Sequence, residues 1–124
     1  MADKDIDIQN KVQLFNNKKI RSVWDSEEEQ WYFSVIDVIA VLTDSVNPRD
    51  YWFKMKKRVH SEDGIELSTI CRQLKMQAPD GKMRETDAAN TEALLRIIQS
   101  VPSKKAEPFK MWLAKVGSEA LDEA

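Results

Sequence analysis

The segment from Asn47 to Arg58 constrains the fold more than any other part of the chain. Asn47 is a favoured helix cap, and Pro48 suits the first helical position, where a missing N–H costs nothing. The apolar positions recur at helical spacing: Trp52, Met55 and Val59. Five cations stand against one anion in the same segment: Arg49, Lys54, Lys56, Lys57 and Arg58 against Asp50. A helix with one apolar and one cationic face is typical of surfaces that contact phosphate backbones.

The size and composition indicate one globular domain. A chain of 124 residues can bury a core without disulfides or metals, and its 42% hydrophobic content is ordinary for a globular protein. A single cysteine, Cys71, excludes an internal disulfide and a cysteine-based zinc cluster. No apolar run is long enough to span a membrane, and the acidic N-terminus differs from a secretory signal. We therefore expect a cytoplasmic protein.

The net charge of −2 is unevenly distributed. Residues 1–9 contribute −2 and residues 119–124 contribute −3, so the middle of the chain carries +3. A mildly basic middle is compatible with an anionic partner. We expect a disordered lead-in over residues 1–10, a domain over 11–118, and a tail over 119–124 that leads into a further C-terminal region.

Alternating apolar and polar residues predict antiparallel strands over 12–15, 19–24 and 30–33. Asn16-Asn17 suits the first tight turn, because Asn tolerates left-handed backbone. Residues 73–77 and 82–86 predict a second hairpin around a Pro-Asp-Gly turn. Its alternation places Leu74 and Met76 on one face, and Lys75 on the other with Lys82 or Arg84 beside it.

Helical periodicity predicts four helices. A cap formed by Ser34 and Asp37 opens the first, which ends near residues 43–44. The second is the cationic segment, and residues 61–72 after it are expected to be a loop. Asn90 caps the third, and the fourth begins between residues 103 and 107 with Pro108 in its first turn. The expected fold is α+β: a single small domain with two antiparallel β-hairpin units and about four helices.

The candidate nucleic-acid-binding residues are Arg49, Lys54, Lys57, Arg58, Lys75, Lys82 and Arg84. Lys54, Lys57 and Arg58 group at i, i+3, i+4 spacing, which favours either a phosphate-contacting surface or a solvated face that balances Glu27–Glu29. Arg49 either donates to phosphate at the helix start or pairs with Asp50. The second hairpin is either a basic ribbon against DNA or an exposed polar hairpin. Arg72 is a further candidate, which would extend the basic surface of the second hairpin.

Aromatic residues are abundant enough to suggest a base-stacking platform, but each falls on a predicted apolar stripe or strand, which favours a core role. Tyr51 lies off the stripe of its helix and is the candidate for an exposed ring. His60 has no partner at a recognisable catalytic or metal-binding spacing, and Cys71 has no matched histidine. We predict no catalytic residue, no metal site and no cofactor.

The order of these elements resembles the Bro family N-terminal domain, found in phage antirepressors and baculovirus Bro proteins. The resemblance covers about residues 12–117. Five segments carry it: Phe15 with Ile20-Arg21-Ser22-Val23; Trp31-Tyr32-Phe33 with Asp37-Val38, similar to "W-F-x-x-x-D-V"; Asn47-Pro48-Arg49, similar to "N-P-x"; Asn90-Thr91-Glu92-Ala93-Leu94-Leu95-Arg96-Ile97-Ile98, similar to "N-E-x-G-L-Y-x-L-I"; and Lys105 through Leu113, similar to "A-x-x-F-x-x-W".

The resemblance implies DNA binding in phage-linked (prophage) transcriptional regulation, with double-stranded DNA as the partner and no catalytic activity. The alternative is a protein–protein interaction domain that captures a repressor or another partner without contacting DNA. An exposed apolar patch on the fourth helix, without a continuous basic surface, would favour that alternative. A nuclease would need clustered acids with a bound metal. The sequence leaves a homo-oligomer open.

Overall fold

A computed structural model describes the backbone of residues 8–63 and 67–118, and the side chains of residues 11–57 and 69–118. Five strands and four helices make up the described chain, with a short 3-10 helix at Leu67–Ile70. The strands are β1 (Ile8–Phe15), β2 (Lys18–Asp25), β3 (Gln30–Ser34), β4 (Arg72–Gln77) and β5 (Met83–Ala89). The helices are α1 (Val35–Thr43), α2 (Pro48–Asp63), α3 (Thr91–Gln99) and α4 (Ala106–Ser118). The predicted α+β fold is therefore confirmed.

The first hairpin forms as predicted. Asn16 and Asn17 have φ values of 52° and 65°, the left-handed conformations that a two-residue turn requires. The turn sets the register, with Phe15 opposite Lys18. β1 begins at Ile8, so residues 8–10 belong to a strand and not to a disordered lead-in. Residues 1–7 and 119–124 lie outside the described chain.

The two predicted hairpin units belong to one sheet, in the order β1-β2-β3-β5-β4. They are joined where β3 pairs with β5, with Phe33 opposite Ala89 and Ser34 opposite Ala88. This junction is only two residues long, because β3 ends where α1 begins. A short junction leaves the β4–β5 hairpin free to bend away from the plane of the other strands.

The bent hairpin covers the outer face of the sheet. Met76 and Ala88 pack with Val23 and Tyr32 in a second, small hydrophobic cluster. Two arginines fix β4 over β2: the Arg72 Nη1 donates to Asp25 Oδ2 at 3.2 Å, and the Arg21 Nη1 donates to the carbonyl oxygen of Gln77 at 3.1 Å. The hairpin therefore has a defined position relative to β2.

The main core lies on the opposite face of the sheet, under the helices. Apolar residues at helical spacing are buried there: Val35, Val38, Ile39 and Leu42 of α1; Leu94, Ile97, Ile98 and Val101 at α3; Phe109, Leu113 and Val116 of α4, with Trp112 at the same spacing only partly buried. Ser34 and Asn90 cap α1 and α3, since their side chains accept from backbone N–H groups three residues on. Helix capping and burial periodicity were correctly predicted.

Two local predictions need correction. The Asp37 carboxylate does not complete a capping box. It accepts two hydrogen bonds from the Arg21 guanidinium, one from Nε at 2.8 Å and one from Nη2 at 2.9 Å. The expected loop over 61–72 is wrong in part, because α2 continues to Asp63 and a 3-10 helix follows at Leu67–Ile70. The side chain of Val59, predicted to join the buried stripe, lies outside the described residues.

Candidate nucleic-acid interface

The start of α2 is built as predicted. The Asn47 Oδ1 accepts from the backbone N–H of Asp50 at 3.1 Å, and Pro48 is the first helical residue. This cap places Arg49 in the first turn, where its side chain is exposed. Trp52 and Met55 are buried one turn later. The helix is thus fixed with its opposite side toward solvent.

Arg49, Phe53 and Lys57 form an exposed line along that side, at i, i+4, i+8 spacing. We call this line the α2 ridge. Eight residues of helix span about 12 Å. The Lys57 ammonium lies 4.6 Å from the centroid of the Phe53 ring. Within the described side chains, neither Arg49 nor Lys57 forms an ion pair.

The other cations of α2 are placed differently. Lys54 pairs with Asp50 at 3.2 Å, with the lysine side chain 73% exposed, so its charge is partly balanced. A surface pair of this kind is worth less than about 1 kcal/mol, so it holds Lys54 only weakly. The side chain of Arg58 lies outside the described residues.

Lys56 and Trp52 connect α2 to the β4–β5 hairpin. The Lys56 Nζ donates to Asp87 Oδ2 at 3.1 Å, and the Trp52 Nε1 donates to the same oxygen at 2.6 Å. The Gln73 Nε2 donates to the other Asp87 oxygen. Asp87 lies on β5, directly opposite Gln73 on β4. Its carboxylate therefore joins both strands of the hairpin to α2.

A groove of about 270 Å³ separates the exposed parts of α2 and the hairpin. Its helix wall includes Arg49, Phe53 and Lys56, and its hairpin wall includes Gln73, Glu85 and Asp87. The groove is therefore mixed in charge. Arg49 contributes a cation without an ion-pair partner among the described side chains, whereas Lys56 is already held by Asp87.

The hairpin cations do not all share one face. Lys75 stands opposite Glu85 in the β4–β5 register, on the face that carries Gln73 and Asp87 toward α2. Arg84 stands opposite Met76 on the other face and donates to Asp80 at 2.6 Å. Of the two alternatives beside Lys75, Lys82 or Arg84, the register excludes Arg84. Lys82 is exposed in the turn, between the two strands.

The structure brings only some of the predicted cations together. Arg49 and Lys57 share the α2 ridge, and Lys75 lies on the hairpin face that carries Asp87 toward α2. Lys54 and Arg84 are paired with carboxylates. Arg72 does not extend the surface, because its guanidinium is 4.9 Å from the Tyr32 ring and pairs with Asp25.

Phe53 is the ring that sequence reasoning missed. It is 53% exposed, whereas Tyr51, the expected exposed aromatic, is half-buried against the main core. The other aromatics lie in the two cores, although Trp112 is only partly buried. The helical position of Phe53, off the Trp52–Met55 line, was the signal that could have identified it.

The described residues contain no group of three His, Cys, Asp or Glu side chains arranged to hold a metal ion. None of the helices in the described chain has the length and apolar character needed to cross a membrane. The His60 side chain lies outside the described residues. Cys71 is half-buried, and burial, together with the nearby Asp87 carboxylate, raises the pKa of its thiol to about 12.

We expect Cys71 to react slowly with iodoacetamide at mildly alkaline pH. The reactive thiolate is depleted because its pKa lies above the ordinary 9.0, and alkylation should be at least about a hundredfold slower than in the unfolded chain. As pH rises, the Cys71 thiol loses its proton near pH 9 in the unfolded chain and near pH 12 in the folded chain, because its pKa is raised from 9.0 to about 12. Below about pH 9 this difference in pKa therefore costs no stability, and the free energy of unfolding falls as pH rises from 9 toward 12. Equal alkylation rates in native and urea-unfolded protein would contradict this assignment.

Comparison with known proteins agrees with the order of elements described above. No curated protein and no solved structure matches the chain. The family model described as BRO family, N-terminal domain, matches residues 19–121. That range takes in β2 through α4, with the α2 ridge and the β4–β5 hairpin inside it. The chain therefore belongs to the BRO family of N-terminal domains.

Proposed function

We propose that this domain is the DNA-binding module of a phage antirepressor-like transcriptional regulator, acts in the cytoplasm, and contacts duplex DNA mainly through phosphates. Family membership supports the proposal. The observation that carries it is the α2 ridge, on which two cations stand exposed without an ion-pair partner among the described side chains. We also propose that the domain has no catalytic activity.

Arg49 is suited to bind phosphate because it lies in the first turn of α2. The positive dipole end of a helix favours an anion there, and a guanidinium can donate two parallel hydrogen bonds to phosphate. Lys57 would contact the backbone two turns further along the same ridge. Lys75 and Lys82 add contacts from the hairpin. Arg58 remains a proposed contact, whereas Lys54 and Arg84 contribute less because each shares its charge with an aspartate.

Salt dependence of binding to a random duplex tests this proposal. The logarithm of the affinity should fall with the logarithm of salt concentration, with a slope of about −0.9 for each phosphate neutralised. Lys57→Ala should reduce the magnitude of that slope by about one unit. Gel-shift titrations over a salt series measure it, with heparin competition to detect binding by charge alone.

Lys54→Ala is the matched control, because it removes a lysine from the same helix whose charge is partly balanced by Asp50. We expect a smaller change in slope than for Lys57→Ala. The phosphate-contact assignment fails if the Lys57→Ala and Arg58→Ala variants both keep the wild-type slope.

A second candidate function is the capture of a protein partner, such as a repressor, without DNA contact. Met111 on α4 is 74% exposed, and Val12 and Leu14 are exposed on the edge strand β1. The Trp112 Nε1 donates to the Leu14 carbonyl oxygen at 2.8 Å, so α4 and the β1 edge adjoin. Val12 and Leu14 alternate with Phe15, which packs on α4, so they and Met111 lie on different faces, and each exposed apolar position favours a protein contact. Absence of salt-dependent duplex binding in the wild-type titration would favour this function over the first.

A further inference from the structure

Phe53 is an apolar side chain in the middle of the otherwise cationic α2 ridge. Its neighbours along the helix, Trp52 and Met55, are 2% and 1% exposed, whereas Phe53 is 53% exposed. The Lys57 ammonium covers part of the ring, at 4.6 Å from its centroid. The remaining ring surface faces the groove and solvent. An exposed aromatic between two cations indicates a contact surface that is more than electrostatic.

Phosphate contacts position a protein on DNA but carry no sequence information, which is read at the base edges in the grooves. The major groove, about 12 Å wide, admits a helix. With Arg49 and Lys57 at opposite ends of a ridge of about 12 Å, cations at each end can reach the two backbones while the central residue points toward the bases. The central residue here is Phe53.

We propose that Phe53 contacts the 5-methyl group of thymine from the major groove, so that the domain prefers duplexes rich in A·T pairs. This inference rests on the DNA-binding function proposed above. A phenyl ring has no hydrogen-bonding group, so it cannot read the donors and acceptors of the base edges. The thymine methyl is the apolar group that the major groove offers, and apolar side chains recognise it by contact.

The experiment compares two duplexes of the same alternating sequence, one with A·T pairs and one with A·U pairs, which lack the methyl group. Wild-type protein should bind the A·T duplex more tightly by about fourfold for each methyl buried, the factor that corresponds to burying one methylene-sized group. Phe53→Ala should bind both duplexes equally, with the salt slope of the wild type. Met111→Ala, which removes an exposed apolar side chain from α4, should keep the preference.

The outcomes separate this inference from the proposed function. Equal wild-type affinity for the two duplexes, with a normal salt slope, would overturn the methyl contact and leave DNA binding intact. A preference for unpaired or bulged DNA that Phe53→Ala removes would also overturn it, since the ring would then stack on an extruded base. Absence of salt-dependent binding to either duplex would instead remove the proposed function itself.

Discussion

Replacing Phe109 with alanine is expected to lower the free energy of unfolding by about 3–5 kcal/mol. Phe109 is 0% exposed in the main core. Its ring centroid lies 5.1 Å from that of Phe15 in an edge-to-face contact and 5.1 Å from that of Trp112. The substitution removes these contacts and leaves a cavity between α4 and β1 that close-packed neighbours fill only partly.

Urea unfolding monitored by tryptophan fluorescence measures this loss. Met111→Ala is the control on the same helix, because Met111 is mostly exposed and should change stability by no more than about 0.5 kcal/mol. A loss below about 1 kcal/mol for Phe109→Ala would contradict the position of α4 against the sheet. A loss of the expected size is a large part of the total free energy of unfolding, which is about 5–15 kcal/mol for a typical domain.

Local chemistry explains why much of this fold was predictable. The turn at Asn16-Asn17, the caps at Ser34, Asn47 and Asn90, and the stripes of the helices each depend on residues close in sequence. Turn conformation, capping and burial periodicity act over a few residues. The elements that follow from them were therefore correctly predicted.

Long-range pairing could not be predicted in the same way. The bend of the β4–β5 hairpin over β2 depends on Arg72 reaching Asp25 and on Arg21 reaching Gln77. Asp37 had a local role available as a capping partner, but its carboxylate binds Arg21, sixteen positions away. The tertiary structure decides such pairings, because the partners meet only when distant segments of the chain pack together.

The candidate site shows the same division. Helical spacing grouped Lys54 with Lys57 on one face of the helix, and both side chains are exposed. The pairing of Lys54 with Asp50 is itself local, at i, i+4 spacing, and follows the same helical rule. The groove between α2 and the hairpin depends on Asp87 bonding to Trp52 and Lys56, contacts between residues more than thirty positions apart that no local pattern specifies.

The double variant Arg49→Glu/Lys57→Glu is expected to lose at least about a hundredfold in affinity for duplex DNA. A hydrogen bond to a charged group is worth about 1.5–3 kcal/mol, and two are removed. The reversed charges also repel the phosphates. Both residues are exposed, so the fold should be retained, and thermal unfolding of the variant checks this.

The most direct test of the central claim compares this variant with Lys104→Glu/Lys115→Glu, in which two exposed lysines away from the α2 ridge are reversed. Both variants change the net charge equally, so nonspecific attraction is matched between them. If the α2 ridge binds phosphate, gel-shift titrations at one fixed salt concentration should show severe loss for the first variant and nearly wild-type affinity for the second. Equal loss in the two variants would contradict the claim, because DNA would then be responding to total charge and not to this surface.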